Sequence, residues 1–370
     1  MSQPRRLAAI GVSLALGLGL TLSGCAATGS PGAPGGTPVA TTPVAPLAEL
    51  DVPADPRDIE GPSTALLADA AIPVLEGDWP QQLPTTVVSH DRGGDREVTV
   101  PSAERIIAMD LSGSIAATLA GLGLTDRLVG RDVSTTFEGT EDLPLVTIGG
   151  HTVSSEAVLA LRPDIVITDG SVGPRDVVEQ LRDAGITVVF VTAEPSFEGV
   201  SELTRQVGAA VGMPEAGEAL AAQLAEAIDA KIAEIAAIIP RTDPLRMVFL
   251  YLRGSAGVYY LFGDDSGADS LIRALGGIDA AAEVGIVGNR PTTDEALIGA
   301  APDLVLVMTS GIESVGGVDG LLEVQPAIAL TPAGERRRFV DMADGVVLGF
   351  GPRTPGVLDA LARAIYAPAE

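Results

Sequence analysis

One stretch constrains the fold more than any other: residues 214–239, PEAGEALAAQLAEAIDAKIAEIAAII. Leu220, Leu224, Ile228, Ile232 and Ile235 recur every three or four residues, the spacing of a helix with one apolar stripe. Alanine, leucine and glutamate, all good helix formers, fill most other positions. Glu218, Glu226, Asp229 and Glu234 keep the remaining faces in water. Pro214 suits a first-turn position, and Pro240 stops the run. Such a helix is roughly 36 Å long, about the diameter of a small domain, so it can span two lobes.

The same pattern stands on both sides of it. Residues 156–167 read EAVLALRPDIVI, and residues 295–306 read EALIGAAPDLVL. Each copy predicts a short helix, a proline-aspartate turn and a buried strand. One internal repeat around one long helix predicts two similar α/β lobes: an N-terminal lobe over 84–213, an interlobe helix over 214–239 and a C-terminal lobe over 240–370. Strands are expected at 105–109, 128–130, 186–191, 247–253, 304–308 and 339–342. Helices are expected from Ser112 or Ser114 to Leu122, over 175–184, from Ser266 or Asp269 to Leu275, over 321–325 and over 355–366. Alternating strands and helices imply a largely parallel sheet covered on both faces.

Residues 1–25 carry Arg5 and Arg6, an apolar run over 7–22, then Leu-Ser-Gly-Cys25. This is a secretory signal with a lipobox, whose cleavage leaves Cys25 as a lipid-modified N-terminus. The run is shorter than the roughly 20 residues a membrane span needs. Cys25 is the only cysteine, so neither a disulfide within the chain nor a thiolate metal cluster can form. Lipid on Cys25 would hold the protein at the membrane without spanning it. Residues 26–83 are expected to be a flexible, low-complexity tether, followed by an unassigned segment. With 49 acidic and 23 basic residues the net charge is −26, which argues against nucleic acid as a partner.

No nucleophile elbow, P-loop, zinc-protease helix or dinucleotide fingerprint is present. Two histidines are too few for a multi-histidine metal centre. His90 reads as a surface residue. His151 follows Gly149-Gly150 and precedes a helix, and ligands bind in loops at the ends of parallel strands; an ordinary loop histidine fits equally. Tyr251 and Arg253 share one face of a strand. A cation there favours phenolate, a hard oxygen ligand suited to ferric iron; a core tyrosine beside a snorkelling arginine is the plainer alternative. Met308 ends the second repeat strand and is either core or a lining for an apolar ligand. Glu156 and Glu295 match between the repeats. Acids in a first helical turn stabilise it by roughly 0.3–1 kcal/mol, or they offer one charge per lobe to a basic partner.

The lipobox, RIIAM at 105–109, GGHTV at 149–153, LRPDIVI at 161–167 and YLRG at 251–254 resemble haem-binding lipoproteins of bacterial haem ABC importers, an HmuT-like group. The resemblance covers roughly residues 84–370, and its most specific part is GGHT followed about a hundred residues later by Y-x-R-G. It implies the class III periplasmic binding protein fold, two Rossmann-like α/β lobes joined by a single long helix. It implies capture of ferric haem b, with His151 and Tyr251 as axial ligands. Arg253 would then hydrogen-bond the tyrosinate, and Met308 would lie beside the haem. Glu156 and Glu295 match the acids that dock such proteins on a permease. The partners implied are that permease, its ATPase and haem-donor surface proteins. The chain is expected to be a monomer and not an enzyme. A ferric siderophore or cobalamin is the alternative cargo in the same transporter class.

Overall fold

The computed structural model describes residues 39–41 and 44–368. The lipobox and Cys25 lie outside the described residues. The central helix runs Pro214–Ile238, about 37 Å, with Pro214 in its first turn. Ala216, Gly217, Leu220, Ala221, Leu224, Ile228 and Ile235 are its buried stripe.

Its two halves pack on different partners. The first half lies against the helix Phe197–Ala210. The backbones meet at Gly208 and Gly217, where a Cβ on Gly208 would stand 2.6 Å from the Gly217 Cα. The second half lies against the helix Thr354–Tyr366, and Lys231 Nζ is 3.0 Å from Asp359 Oδ1 there. Burial alone would push the Asp359 carboxyl up. The Arg363 and Lys231 cations beside it outweigh this and hold it below the usual carboxylate range.

The first lobe has four parallel strands in the order Leu128–Arg131, Ile106–Met109, Ile165–Thr168, Thr187–Phe190. In the second lobe Phe339–Met342, Leu304–Met308 and Arg246–Arg253 are parallel neighbours. The sheet is largely parallel, as expected, with an antiparallel extension at one edge. Val258–Phe262 returns antiparallel to Arg246–Arg253, and Asn289–Pro291 pairs antiparallel with it. Gly257 makes that return, at φ 64°.

Side-chain alternation sorts the core. Ile106, Ala108, Met247 and Phe249 join one buried cluster with the central helix, and this cluster is continuous through both lobes. Ile107 and Met109 face a separate cluster in the first lobe, and Val248, Leu250 and Leu252 face another in the second.

The repeat is more detailed than its sequence pattern. Ser154 and Thr293 cap the two repeat helices, Ser155–Leu161 and Asp294–Ala300. Both helices end on a left-handed residue that is not glycine, Arg162 at φ 48° and Ala301 at φ 41°. The following aspartate then receives the start of the neighbouring strand. Asp164 Oδ2 accepts from the Arg105 N–H at 3.1 Å, and Asp303 Oδ2 from the Arg246 N–H at 2.9 Å. The side chains of those arginines turn back to the last helical carbonyls. Arg105 donates to Leu161 and Arg162, and Arg246 donates to Ala300. The residue pairs 105/246 and 164/303 thus close one clamp, built twice.

From residue 44 on, neither the tether expected over roughly 26–62 nor the unassigned segment over 63–83 is loose chain. Ser63–Ala65 forms a parallel edge strand beside Phe339–Met342. Leu47 and Leu67 are buried in the shared core. Arg57 donates to the carbonyls of Asp243 and Pro244. Enough apolar surface is covered to fix these short pieces, although none is long enough to show a period. The first-lobe helix Ser114–Gly121 also differs in its cap. Gly113 is the N-cap, and Asp110 accepts from the N–H groups of Ser114 and Ile115, a role expected of a serine.

Candidate functional site

The carboxyl ends of the strands of both lobes meet along one seam. Gly345 packs on the loop after Leu128–Arg131, where a Cβ would stand 3.1 Å from the Ser134 carbonyl and from Thr136 Oγ1. Gly349 approaches the Ser112 carbonyl, Gly267 approaches Pro195, and the Phe197 and Phe350 rings lie 5.9 Å apart.

On the second-lobe side, three strand ends bring four residues together. Tyr251 and Arg253 project from the carboxyl end of the strand Arg246–Arg253, on the face that Met247 and Phe249 bury deeper in. Tyr251 is half-buried, and the Phe262 ring stacks on it at 5.9 Å and 18°. The Arg253 guanidinium lies over the Tyr251 ring, 4.7 Å from its centre, within cation–π range. Arg253 Nη2 is 3.9 Å from the Met308 sulfur, and Met308 is nearly buried at the end of its strand. The fourth residue, Asp344, carries no signal in the sequence pattern. Its Oδ2 accepts from Arg253 Nη2 at 2.6 Å, and its Oδ1 accepts from the Ser310 N–H at 3.0 Å. The arginine expected at the tyrosine oxygen is thus tethered by a carboxylate while it covers the ring.

The first-lobe side is built differently. Thr147–Ile148 and Thr152–Val153 form a small antiparallel hairpin, with Gly149 and Gly150 both at positive φ in its tip. A Cβ on either glycine would meet nothing within 4 Å. His151 is exposed there, and its carbonyl accepts from the Gly173 N–H. Ile148 and Leu111 are exposed apolar side chains on the same lobe, 61% and 51% accessible. Below them lie two buried carboxylates. Asp110 accepts from Ser112, Ser114 and Ile115, and Asp132 accepts from Asp110, Ser134 and Thr135. Burial, with the Asp132 and Asp169 charges nearby, pushes Asp110 up to about 7.

Glu156 and Glu295 are both exposed in the first turns of the repeat helices. His90 is half-buried, and its Nδ1 lies 3.0 Å from Asp95 Oδ1. A cavity of about 860 Å³ lies between residues 44–48, the central helix and the C-terminal helix; His151, Tyr251, Arg253 and Met308 do not line it.

Residues 109–345 match the family model described as periplasmic binding protein. The fold superposes on a crystal structure of the heme-binding protein HmuT with a TM-score of 0.78 and 40% identity, covering 85% of this chain and 99% of that one. Solved variants of HmuT replace one arginine, one tyrosine and one histidine with alanine. That tyrosine and arginine stand two positions apart, and the histidine about a hundred residues earlier. Among curated proteins, the ABC transporter substrate-binding lipoprotein YvrC of Bacillus subtilis is 27% identical over 310 residues, covering 82% of this chain and 94% of its own. A cobalamin-binding protein of Halobacterium salinarum is 31% identical over 243 residues, 62% of this chain and 63% of that one. The chain belongs to the periplasmic binding protein family.

Proposed function

We propose that this chain binds ferric haem outside the cytoplasm and delivers it to an ABC importer. The observation that carries the reading is the tyrosine with an arginine over its ring at the mouth of the seam. The same two residue types, at the same spacing, are the ones replaced in HmuT. Tyr251 and His151 would hold the iron from opposite faces, and Met308 would lie against the porphyrin. Tyrosinate and imidazole are both known axial ligands of haem iron, and an anionic oxygen ligand favours the ferric state. Exposed Leu111 and Ile148 supply apolar cover that the low aromatic content, 3%, does not. Capture and release would make and break only the axial bonds to iron and leave the haem chemically unchanged, so the function proposed is transport and not catalysis.

Ferric haem titrated into the purified chain should give a saturable Soret shift at one equivalent. An unshifted Soret band, with stabilisation by cobalamin or a ferric siderophore instead, would overturn the haem assignment.

The lipobox supports attachment to the outer face of the cell membrane through Cys25, and YvrC carries the name lipoprotein. Glu156 and Glu295 offer one exposed charge per lobe to arginines on a permease, with an ATPase behind it. Haem-donor surface proteins would load the monomer. Reversing both charges (Glu156→Arg with Glu295→Arg) should abolish haem-dependent growth of cells while leaving the Soret titration unchanged. Undiminished growth would remove these residues from the docking role.

A further inference from the structure

The Tyr251–Arg253 pair is not self-supporting. An arginine at the end of a strand has several rotamers open to solvent, and stacking on a ring fixes only its plane. Here the Leu252 carbonyl, which accepts from Arg253 Nη1 at 2.9 Å, and one carboxylate fix the rest. Asp344 Oδ2 accepts from Arg253 Nη2 at 2.6 Å, and the Arg253 side chain is about two-thirds buried as it does so. The other oxygen, Oδ1, accepts from the Ser310 N–H at 3.0 Å, two residues beyond Met308. Asp344 itself is placed by the seam. It precedes Gly345, which packs on Ser134 and Thr136 of the first lobe and whose carbonyl accepts from Arg353 Nη2 at 2.8 Å.

We propose that Asp344 is the positioning residue of the haem site. It holds the Arg253 guanidinium on the Tyr251 ring and so ties the tyrosine's cationic neighbour to the lobe seam. The inference rests on the haem reading and adds a residue to it. A guanidinium has donors enough to serve a carboxylate and a phenolate oxygen together. Held by Asp344, it is already within reach when the phenolate binds iron, so less ordering is required on capture. Outer partners of a metal ligand commonly change metal affinity by about 10–100-fold when removed. Asp344 acts only through Arg253, so the effects of removing the two should not add.

The test uses the full chain loaded with ferric haem and two readouts: the tyrosinate-to-iron charge-transfer band, and haem release to excess apomyoglobin. Asp344→Asn keeps the shape and the acceptor for Ser310 but removes the charge facing Arg253. It should perturb the band and release haem about tenfold faster than the parent. Asp344→Glu should restore most of both. Asp344→Ala combined with Arg253→Ala should release haem no faster than Arg253→Ala alone. A parental band and release rate in Asp344→Asn, or additive losses in the double variant, would overturn the proposal and leave the haem reading standing. A parent protein with no Soret shift at all would sink both. Should Asp344→Ala fail to fold, Asp344→Asn and Asp344→Glu decide the matter.

Discussion

Replacing Tyr251 with alanine is expected to weaken ferric haem binding by about a hundredfold or more, the upper end of what even an outer-shell change costs a metal site. His151→Ala should weaken it less, by about tenfold, near 1.4 kcal/mol. Charge is the first reason for the asymmetry. The ferric porphyrin core carries one net positive charge, which a phenolate neutralises and an imidazole does not. Preorganisation is the second. Tyr251 stands on the strand Arg246–Arg253, hydrogen-bonded on both sides, with Phe262 stacked on its ring and Arg253 over it. His151 stands at a hairpin tip where two left-handed glycines open into space. Ordering that tip is a cost that the tyrosine does not carry. Soret titrations of the two variants beside the parent measure the difference. If Tyr251→Ala binds as tightly as the parent, the oxygen ligand must be sought elsewhere, Tyr260 being the cross-strand neighbour on the same face.

How much of this was legible in the sequence varied with the length of each feature. The central helix runs through seven turns of one stripe, and its ends carry prolines, so its bounds fall within one residue of those read from the pattern. The repeat was visible because helix, turn and strand recur together. Its clamp was not, because Arg105 and Arg246 lie about fifty residues from the carbonyls they hold. Tyr251 and Arg253 were legible as neighbours on one strand face. Asp344 was not, since it reaches Arg253 across 91 positions and from the short helix Asp344–Val347, which has no pattern of its own. The strand Val258–Phe262 is an apolar run whose antiparallel partner is simply the strand before it, and the expectation of βα alternation hid it. The N-terminal strap, residues 44–67 with the strand Ser63–Ala65, was illegible for a different reason. Its elements are three residues long, too short for any period, and their stability is tertiary.

That strap also sets the largest stability effect expected away from the site. Arg338 is 3% exposed and pairs with no carboxylate among the described residues. Nη1 donates to the Gly61 carbonyl and Ser63 Oγ, and Nη2 donates to the carbonyls of Ala364 and Ile365. Burial pushes its pKa down to about 10, still well above neutrality, so the buried group is a cation held by carbonyl dipoles. It joins the edge strand Ser63–Ala65 to the end of the C-terminal helix, the same helix that braces the second half of the central one. Arg338→Ala would take this donor from the Gly61 and Ile365 carbonyls, leave the Ala364 carbonyl with Ser63 Oγ alone, and open a space beneath the strap. Each unsatisfied buried group costs about 1–3 kcal/mol, partly relieved by entering water, so a loss of about 3–5 kcal/mol is expected. Against a typical total of about 5–15 kcal/mol this is a large fraction. Urea unfolding should show it as a lower midpoint. Trypsin supplies a local readout: Arg57 is tied to Asp243 and Pro244 in the parent, and cleavage after it should quicken once the strap loosens. A stability loss under about 1 kcal/mol, with cleavage at Arg57 unchanged, would mean that apolar burial of Leu47 and Leu67 holds the strap unaided.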